Sequence, residues 1–478
     1  MPQPPYDGVA LVVLAAGAGT RMKSKLPKPL HPVAGVPMIE RILRAGRGAD
    51  PVSTTIVVSP ALSDLVERLG KTGEMTAVVQ DPPLGTGDAV RRALPTIGEA
   101  GWVLSVFADH PLLTASDFAA FVAGAKASRA QVTVLTCVLD DAQAYGRIER
   151  DAADRPIGIV NRADDDPARR VGRVEVNSGL TILRMPWAAD ALRRLEPSPH
   201  TGEYYLTDLL KLAVADAGPN PDPWPVATVT GPPDVIHGFN DRIELAAAEA
   251  ILRDRIRRRH MLQGVTIVAP ETVLIDDDVA IGQDTTILPF TILQGSTTIG
   301  ADCRIGPHAV VTSAVIGDRV VVRSSTIADA QIGDDSDVGP YAHVRRGTRI
   351  GRHVHIGNYA ELKNAELDDH VKAGHFGYLG DAHIGSGTNI GAGTVTCNFD
   401  GTAKHHTEIG PNAFIGSDSM LVAPLTIGAE ATIGAGSVVT HDVPDQTTVV
   451  GVPARAIKRR KTASNPVGDS VPTTEDGA

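Results

Sequence analysis

In this 478-residue chain two short stretches hold the side chains best suited to binding or catalysis. The first is Leu14-Ala15-Ala16-Gly17-Ala18-Gly19-Thr20-Arg21-Met22, with Pro27-Lys28 close behind. Small residues after an apolar run let backbone N–H groups approach a phosphate or a base closely. Met22 stands where the dinucleotide-binding fingerprint needs its third glycine, and no Gly-Lys-Ser or Gly-Lys-Thr follows, so neither that fingerprint nor a Walker-type phosphate loop fits. What remains is a glycine turn beside two cations, Arg21 and Lys28. That pairing suits a triphosphate whose charge must be offset at its α and β phosphoryl groups. The second stretch, Lys372-Ala373-Gly374-His375-Phe376-Gly377-Tyr378-Leu379-Gly380-Asp381, interrupts an otherwise regular repeat. An irregular segment in a regular scaffold is where function concentrates.

The elements around these stretches differ in kind. Residues 1–242 alternate Val/Ile-rich runs (9–17, 54–60, 102–111 and 131–140) with helix-like stretches such as 38–48 and 116–128. That alternation predicts a parallel sheet with covering helices, in which ligands bind at the carboxyl ends of the strands. Residues 241–262 hold good helix formers with no Gly or Pro and predict one long helix linking two domains. Its basic end, Arg255–His260, is expected to be a solvated face at a helix C-terminus.

From about residue 264 the pair "Ile or Val, then Gly" recurs, at 299, 305, 332, 338, 350, 356, 409, 415, 427 and 433 among others. Spacings of six and eighteen predict a triangular coil with three short strands per turn, each Ile or Val stacking inward on its equivalent in the next turn. The repeat breaks at 356–384 and again at 390–409, where loops are expected to leave the coil. The tail 459–478 is polar, lacks periodicity and is expected to be disordered.

Composition bounds the rest. A net charge of -11 argues against a sequence-independent nucleic-acid binder. Cys137, Cys303 and Cys397 are too few and too scattered for a disulfide framework or a Cys-based zinc site, and read as free thiols in a reducing cytoplasm. No apolar run reaches the length of a membrane span, and the residues before Val9 lack the positive charge of a signal peptide. A soluble cytoplasmic protein is expected.

Seven blocks in the first domain resemble, in order, the sugar-nucleotidyltransferase family. They are the glycine turn with Lys28, Gln80–Gly87, Phe107–Pro111, Tyr145–Ile148, Val176–Gly179, Gly202–Asp208 and Gly238–Arg242. The repeat domain resembles the hexapeptide acyltransferases through Gly339–Arg345, Asn358–Lys363, Lys372–Asp381, Asn389–Thr394 and Thr396–Gly401. Together, in this order and over about residues 1–455, they resemble the bifunctional family that acetylates glucosamine-1-phosphate and uridylates N-acetylglucosamine-1-phosphate. The fold this implies is a Rossmann-like α/β nucleotidyltransferase domain (1–242), a linker helix (243–263) and a left-handed parallel β-helix acetyltransferase domain (264–458).

The resemblance also implies site residues. Leu14, Ala15, Ala16, Gly17, Lys28, Gln80, Gly85, Thr86, Phe107, Ala108, Asp109, Gly146, Asn161, Asn177 and Asn240 would bind UTP and the UDP-sugar. Arg21 and Lys28 would stabilise charge on the phosphoryl groups, and Asp109 and Asn240 would hold Mg²⁺. On the β-helix His375 would be the general base. Arg345, Lys363, Tyr378 and Asn389 would hold glucosamine-1-phosphate, and Ala392, Asn398, Phe399, Ser417 and Ala435 would line the acetyl-CoA channel. The family's members are homotrimers whose product feeds peptidoglycan and outer-membrane lipid synthesis.

The sequence departs from the family pattern at four places. Phe107-Ala108 replaces Tyr-Gly, Asn161 replaces a sugar-contacting Glu, Phe399 replaces Tyr, and Gly451 replaces an Arg that contacts the coenzyme. Asn161 and Phe107-Ala108 leave room for another sugar-phosphate preference. A further alternative is that the β-helix serves only as a trimerisation or regulatory scaffold.

Overall fold

The computed structural model describes residues 7–17, 19–62, 75–142, 145–162, 165–236 and 238–459. Most of the tail expected to be disordered therefore lies outside the described residues. The chain divides into two compact units, Met1–Leu252 and Arg253–Ala478.

The first unit is built on a mixed sheet. Its strands are β1 (Val9–Ala15), β2 (Pro51–Val58), β3 (Thr76–Val79), β4 (Trp102–Phe107), β5 (Val132–Asp141), β6 (Arg147–Arg150), β7 (Pro156–Val160), β8 (Val171–Arg184) and β9 (Val226–Thr230). The spatial order is β9-β5-β8-β4-β1-β2-β3, with the β6–β7 hairpin against β8. Strands β4, β1, β2 and β3 are parallel, as the βαβ rhythm predicts. The long strand β8 runs antiparallel to both β4 and β5, so the sheet is mixed rather than parallel throughout. It is reached through the β6–β7 hairpin instead of a helical crossover, and so returns against its neighbours.

Both faces of the sheet are covered, and β1 shows why its sequence is apolar without alternation. Val9, Leu11, Val13 and Ala15 join a core with Ile42, Phe118 and Phe121. Ala10, Val12, Leu14 and Ala16 face the other core, with Val90, Leu192 and Leu209. A strand buried on both sides has no polar face to show.

The second unit is the left-handed β-helix of hexapeptide repeats. One column of inward side chains runs Ile287, Ile305, Val322, Val338, Ile356 and Ala373, each paired in parallel register with the next. It resumes as Ile390, Ile415 and Ile433. All nine side chains are buried.

The two breaks in the repeat have different causes. At the second, the chain between Ile390 and Ile415 carries a loop around Phe399–Lys404, closed by a bridge between those two residues. At the first, no loop leaves the coil. Ala360–Leu367 and Gly377–Ile384 are unusually long strands that lie side by side in parallel register. Each runs across two faces of the coil, and Leu362, Leu367, Ala373 and Leu379 take the inward positions, so the Ile/Val–Gly pair disappears while the coil continues.

A single helix, Arg242–Leu262, covers all but the last residue of the expected linker. Its basic end is solvated only in part: Arg258 and Arg259 are exposed, Arg257 is half-buried and His260 is buried. Arg253 donates to the Ile275 carbonyl at 3.1 Å, Arg257 to that of Val273 at 3.3 Å, and Arg259 to that of Asp277 at 2.9 Å. These guanidiniums dock the end of the helix on the first turn of the coil. Among the described residues no helix is long and apolar enough to cross a membrane.

Candidate active sites

The candidate side chains of the first unit hang from the carboxyl ends of neighbouring strands. Strand β1 ends in the glycine turn, β3 ends one residue before Gln80, and β4 ends at Phe107, two residues before Asp109. Gln80 N–H donates to the Val58 carbonyl at 2.8 Å, which ties its loop to the end of β2, and Ala108 N–H to that of Leu14 at 3.0 Å, which ties the other two loop starts together. They frame a cavity of about 470 Å³. Leu14, Ala15, Ala16 and Gly17 form one wall, Gln80, Gly85 and Thr86 another, and Phe107, Ala108 and Asp109 a third. Arg21, Lys28 and Asn240 stand at the same cavity.

Two glycines make this geometry possible. Gly19 has φ +59°, and a Cβ there would lie 2.7 Å from Cβ of Lys28, so glycine lets the turn pack on the lysine stem. Gly85 has φ +98°, and its Cβ would meet the Tyr204 carbonyl at 2.7 Å. The segment 84–87 is stitched to 204–206: Gly87 N–H donates to Tyr204 O at 2.8 Å, and Leu206 N–H to Thr86 Oγ1 at 3.0 Å. Glu203 and Tyr205 thereby reach the cavity. They fall in a motif block that the sequence brings out, but nothing in their types marked them as lining residues.

Charge concentrates at the cavity mouth. Lys28 Nζ donates to Asp109 Oδ2, and Arg21 Nη2 donates to Asn240 Oδ1 at 2.7 Å. Burial would raise the Asp109 carboxyl, but His110 and Lys28 outweigh it and hold the group well below the usual carboxylate range. The other oxygen, Asp109 Oδ1, is buried and makes no hydrogen bond of acceptable geometry, although His110 Nδ1 lies 3.2 Å away. An ionised carboxylate with one oxygen unsatisfied, beside a side-chain amide oxygen, is a donor set that fits Mg²⁺. Among the described residues no cluster of three or more His, Cys, Asp or Glu could hold a metal by itself. These two oxygens would therefore need substrate oxygens and water to complete a shell.

Gly146, Asn161 and Asn177 do not line this cavity; they form a group on β6–β8. Asn177 N–H donates to Gly146 O at 2.9 Å, and a Cβ on Gly146 would lie 3.6 Å from Asn161 Oδ1. The group adjoins the cavity through Gly179, whose Cβ would strike the Phe107 ring at 2.7 Å.

On the β-helix, His375, Asn389, Ala392, Ser417 and Ala435 line one shallow depression. Arg345, Lys363, Tyr378 and Asn398 lie on the next face of the coil. There Arg345 pairs with Glu361 at 2.6 Å, and Asn398 Nδ2 donates to Asp381 Oδ2 at 2.5 Å and to the Tyr378 hydroxyl at 3.5 Å. The chain passes between these faces at Gly374–Phe376, so His375 occupies the corner. Phe399 is 59% exposed, on the loop of the second break.

Lys404, on the same loop, was not singled out from the sequence. Its ammonium lowers the pKa of Lys363 and lies 3.9 Å from Asp381 Oδ2. Two lysines and Arg345 together make a cationic patch suited to a phosphate. A basic residue inside a break in the repeat was the available signal. The Cys397 thiol, by contrast, is pushed up by burial and is a poor nucleophile.

Comparisons with known proteins agree with this layout. Residues 11–148 match the model of a MobA-like NTP transferase domain. Residues 268–358 match a GMPPB C-terminal domain, and 406–441 match the bacterial transferase hexapeptide (six repeats). A protein of Trichlorobacter lovleyi named bifunctional protein GlmU is 43% identical over 92% of this chain and 95% of its own length. Proteins of the same name from Brevibacillus brevis and a Synechococcus strain are 41% and 39% identical, over 92% and 93% of this chain and 94% and 96% of theirs.

Proposed function

The chain belongs to the GlmU family of bifunctional proteins, and from that premise we propose how its two sites make UDP-N-acetylglucosamine, a precursor of peptidoglycan. Acetyl-CoA first acetylates the amine of glucosamine-1-phosphate. UTP then uridylates the resulting N-acetylglucosamine-1-phosphate. We assign uridylyl transfer to residues 1–242, acetyl transfer to 264–458, and the connection to the helix 243–263.

In uridylyl transfer a phosphate oxygen of the sugar phosphate attacks the α-phosphorus of UTP, and pyrophosphate leaves. Both reactants are anions, so the residues have mainly to neutralise charge and hold an in-line geometry. Arg21 and Lys28 do the first. Gln80, Gly85 and Thr86 read the base, and Gly146, Asn161 and Asn177 meet the sugar. Asp109 and Asn240 would hold Mg²⁺, which when bound offsets phosphoryl charge. The observation that carries this reading is the pairing of Arg21 and Lys28 with Asn240 and Asp109 at the mouth of a glycine-walled cavity.

In acetyl transfer His375 takes a proton from the sugar amine as nitrogen attacks the thioester carbon, and the coenzyme leaves as its thiol. Arg345 and Lys363 hold the sugar phosphate, joined by Lys404; Tyr378 and Asn389 orient the sugar. Asn398 polarises the thioester carbonyl, and Ala392, Phe399, Ser417 and Ala435 line the coenzyme's path. These residues wrap a convex corner, which by itself encloses no ligand. That supports a homotrimer in which a neighbouring copy closes each site. Three free cysteines, two of them buried, support a reducing cytoplasm as the place of action.

The test is one incubation of the purified chain with glucosamine-1-phosphate, UTP and Mg²⁺, with and without acetyl-CoA, the products being read by mass. UDP-N-acetylglucosamine is expected only with acetyl-CoA. UDP-glucosamine in both tubes would instead mean a relaxed sugar preference, with Asn161 the first residue to examine.

A further inference from the structure

Gln80 is almost completely buried, yet its amide borders the nucleotide cavity. A side-chain amide can face a base with either end, and the two ends prefer different bases. Its oxygen accepts the N3–H of uracil; its NH₂ donates to the N3 lone pair of cytosine. What surrounds the amide decides which end is presented.

Here the surroundings leave no choice. Gln80 Nε2 donates to the Gly85 carbonyl at 3.0 Å and to Asp88 Oδ2 at 2.9 Å, so both amide hydrogens are used. Both partners are pure acceptors. Asp88 is nearly as buried as Gln80. It accepts from Arg91 Nη2 at 2.7 Å on one oxygen and from Arg92 Nε at 2.8 Å on the other. Burial alone would raise the Asp88 carboxyl, but the bonds from Gln80, Arg91 and Arg92 outweigh it and keep it below its ordinary value. An ionised carboxylate has no proton to offer Gln80 Oε1. That oxygen makes no hydrogen bond among the described residues and is left for the ligand.

We propose that Asp88, clamped by Arg91 and Arg92, is the positioning residue that fixes the Gln80 amide with its oxygen toward the base, and thereby sets the preference for UTP over CTP. The assignment rests on the reading of this cavity as the UTP site. Asp88 touches neither nucleotide nor sugar; it acts through Gln80. A carboxamide at position 88 can turn its own NH₂ toward Gln80 and let that side chain rotate.

The experiment measures kcat/KM for UTP and for CTP, each with N-acetylglucosamine-1-phosphate and Mg²⁺, in the full chain and in D88N, R92Q, Q80M and the double variant D88N/Q80M. Thermal unfolding of each variant checks that it folds. The UTP-to-CTP ratio is expected to fall at least about 10-fold in D88N, on the scale of losing one oriented hydrogen bond. R92Q, at a residue one-third exposed, is expected to lower the ratio in the same direction, and stands in for D88N should that variant fail to fold. The double variant is expected to fall no further than Q80M, since Asp88 acts only through the amide. Equal losses for both nucleotides, or effects that multiply in the double variant, would overturn the assignment and leave Asp88 a structural residue. No turnover of UTP by the unaltered chain would overturn the reading of the cavity itself.

Discussion

In the N-terminal unit the glycine turn, Gln80, Asp109 and Asn240 converge on one cavity; in the β-helix the corresponding residues stand in rows on two faces of a coil. The first arrangement follows from an open sheet. Parallel strands side by side deliver their carboxyl ends to one edge, and loops of unrelated sequence meet there. The second follows from a solenoid, in which successive turns place equivalent positions in line. A sheet edge is concave and can enclose a nucleotide within one chain. A coil is convex, and an enclosed site on it needs a wall from elsewhere.

The contrast breaks most visibly under reciprocal substitution. Asp109→Ala is expected to remove uridylyl transfer by about 10³-fold or more while acetyl transfer is unchanged. His375→Ala should remove acetyl transfer by about 10²- to 10⁴-fold and spare uridylyl transfer. Separate assays of the two half-reactions decide this; loss of both activities in either folded variant would mean the sites are not independent. Dilution should sharpen it. If only the convex site borrows a wall, acetyl transfer per chain falls about 10-fold or more once the copies separate, while uridylyl transfer holds. Sedimentation alongside both assays checks it, and parallel loss of the two activities would count against the contrast.

The smallest expected effect concerns acid. His260, in the last turn of the helix Arg242–Leu262, is buried, and neither ring nitrogen has a partner among the described residues. Burial, helped by Arg259, lowers its pKa from 6.5 to about 4. Between those values the unfolded chain binds the proton and the folded chain does not. The stability from this group is therefore complete above about pH 6.5 and falls by about 1.4 kcal/mol per pH unit toward pH 4. Thermal unfolding of the full chain across that range should show the slope, acetyl transfer should fail before uridylyl transfer, and His260→Leu should flatten both trends.

Much of this was legible in residue order because it depends on local period. The six-residue spacing of Ile and Val with Gly needs no knowledge of the far side of the molecule, and every predicted inward residue is buried except Ile281, which is half-buried. The glycine turn and Asp109 fall at the ends of apolar runs read as strands, whereas the four-residue strand Thr76–Val79 that carries Gln80 is too short to stand out in the sequence. The misreadings came from features that depend on neighbours. The gap in the motif at 356–384 looks the same whether a loop leaves or a strand crosses two faces, and only the pairing of Ala360–Leu367 with Gly377–Ile384 tells them apart. The docking of Arg253, Arg257 and Arg259 at the basic end of the helix Arg242–Leu262 is not legible because the carbonyls they meet, at Ile275, Val273 and Asp277, carry no signature in their side chains.

The order of residues sets the two architectures and places most of the candidate groups at strand ends and at breaks in the repeat, because strand period, glycine spacing and residue type are local properties. Tertiary structure decided the rest. It chose the direction of β8, set the group Gly146, Asn161 and Asn177 apart from the glycine-walled cavity, brought Lys404 to Lys363, and turned the amide of Gln80. Each of these depends on which distant atoms become neighbours, and a hydrogen bond or a charge has an orientation only once its partner is in place.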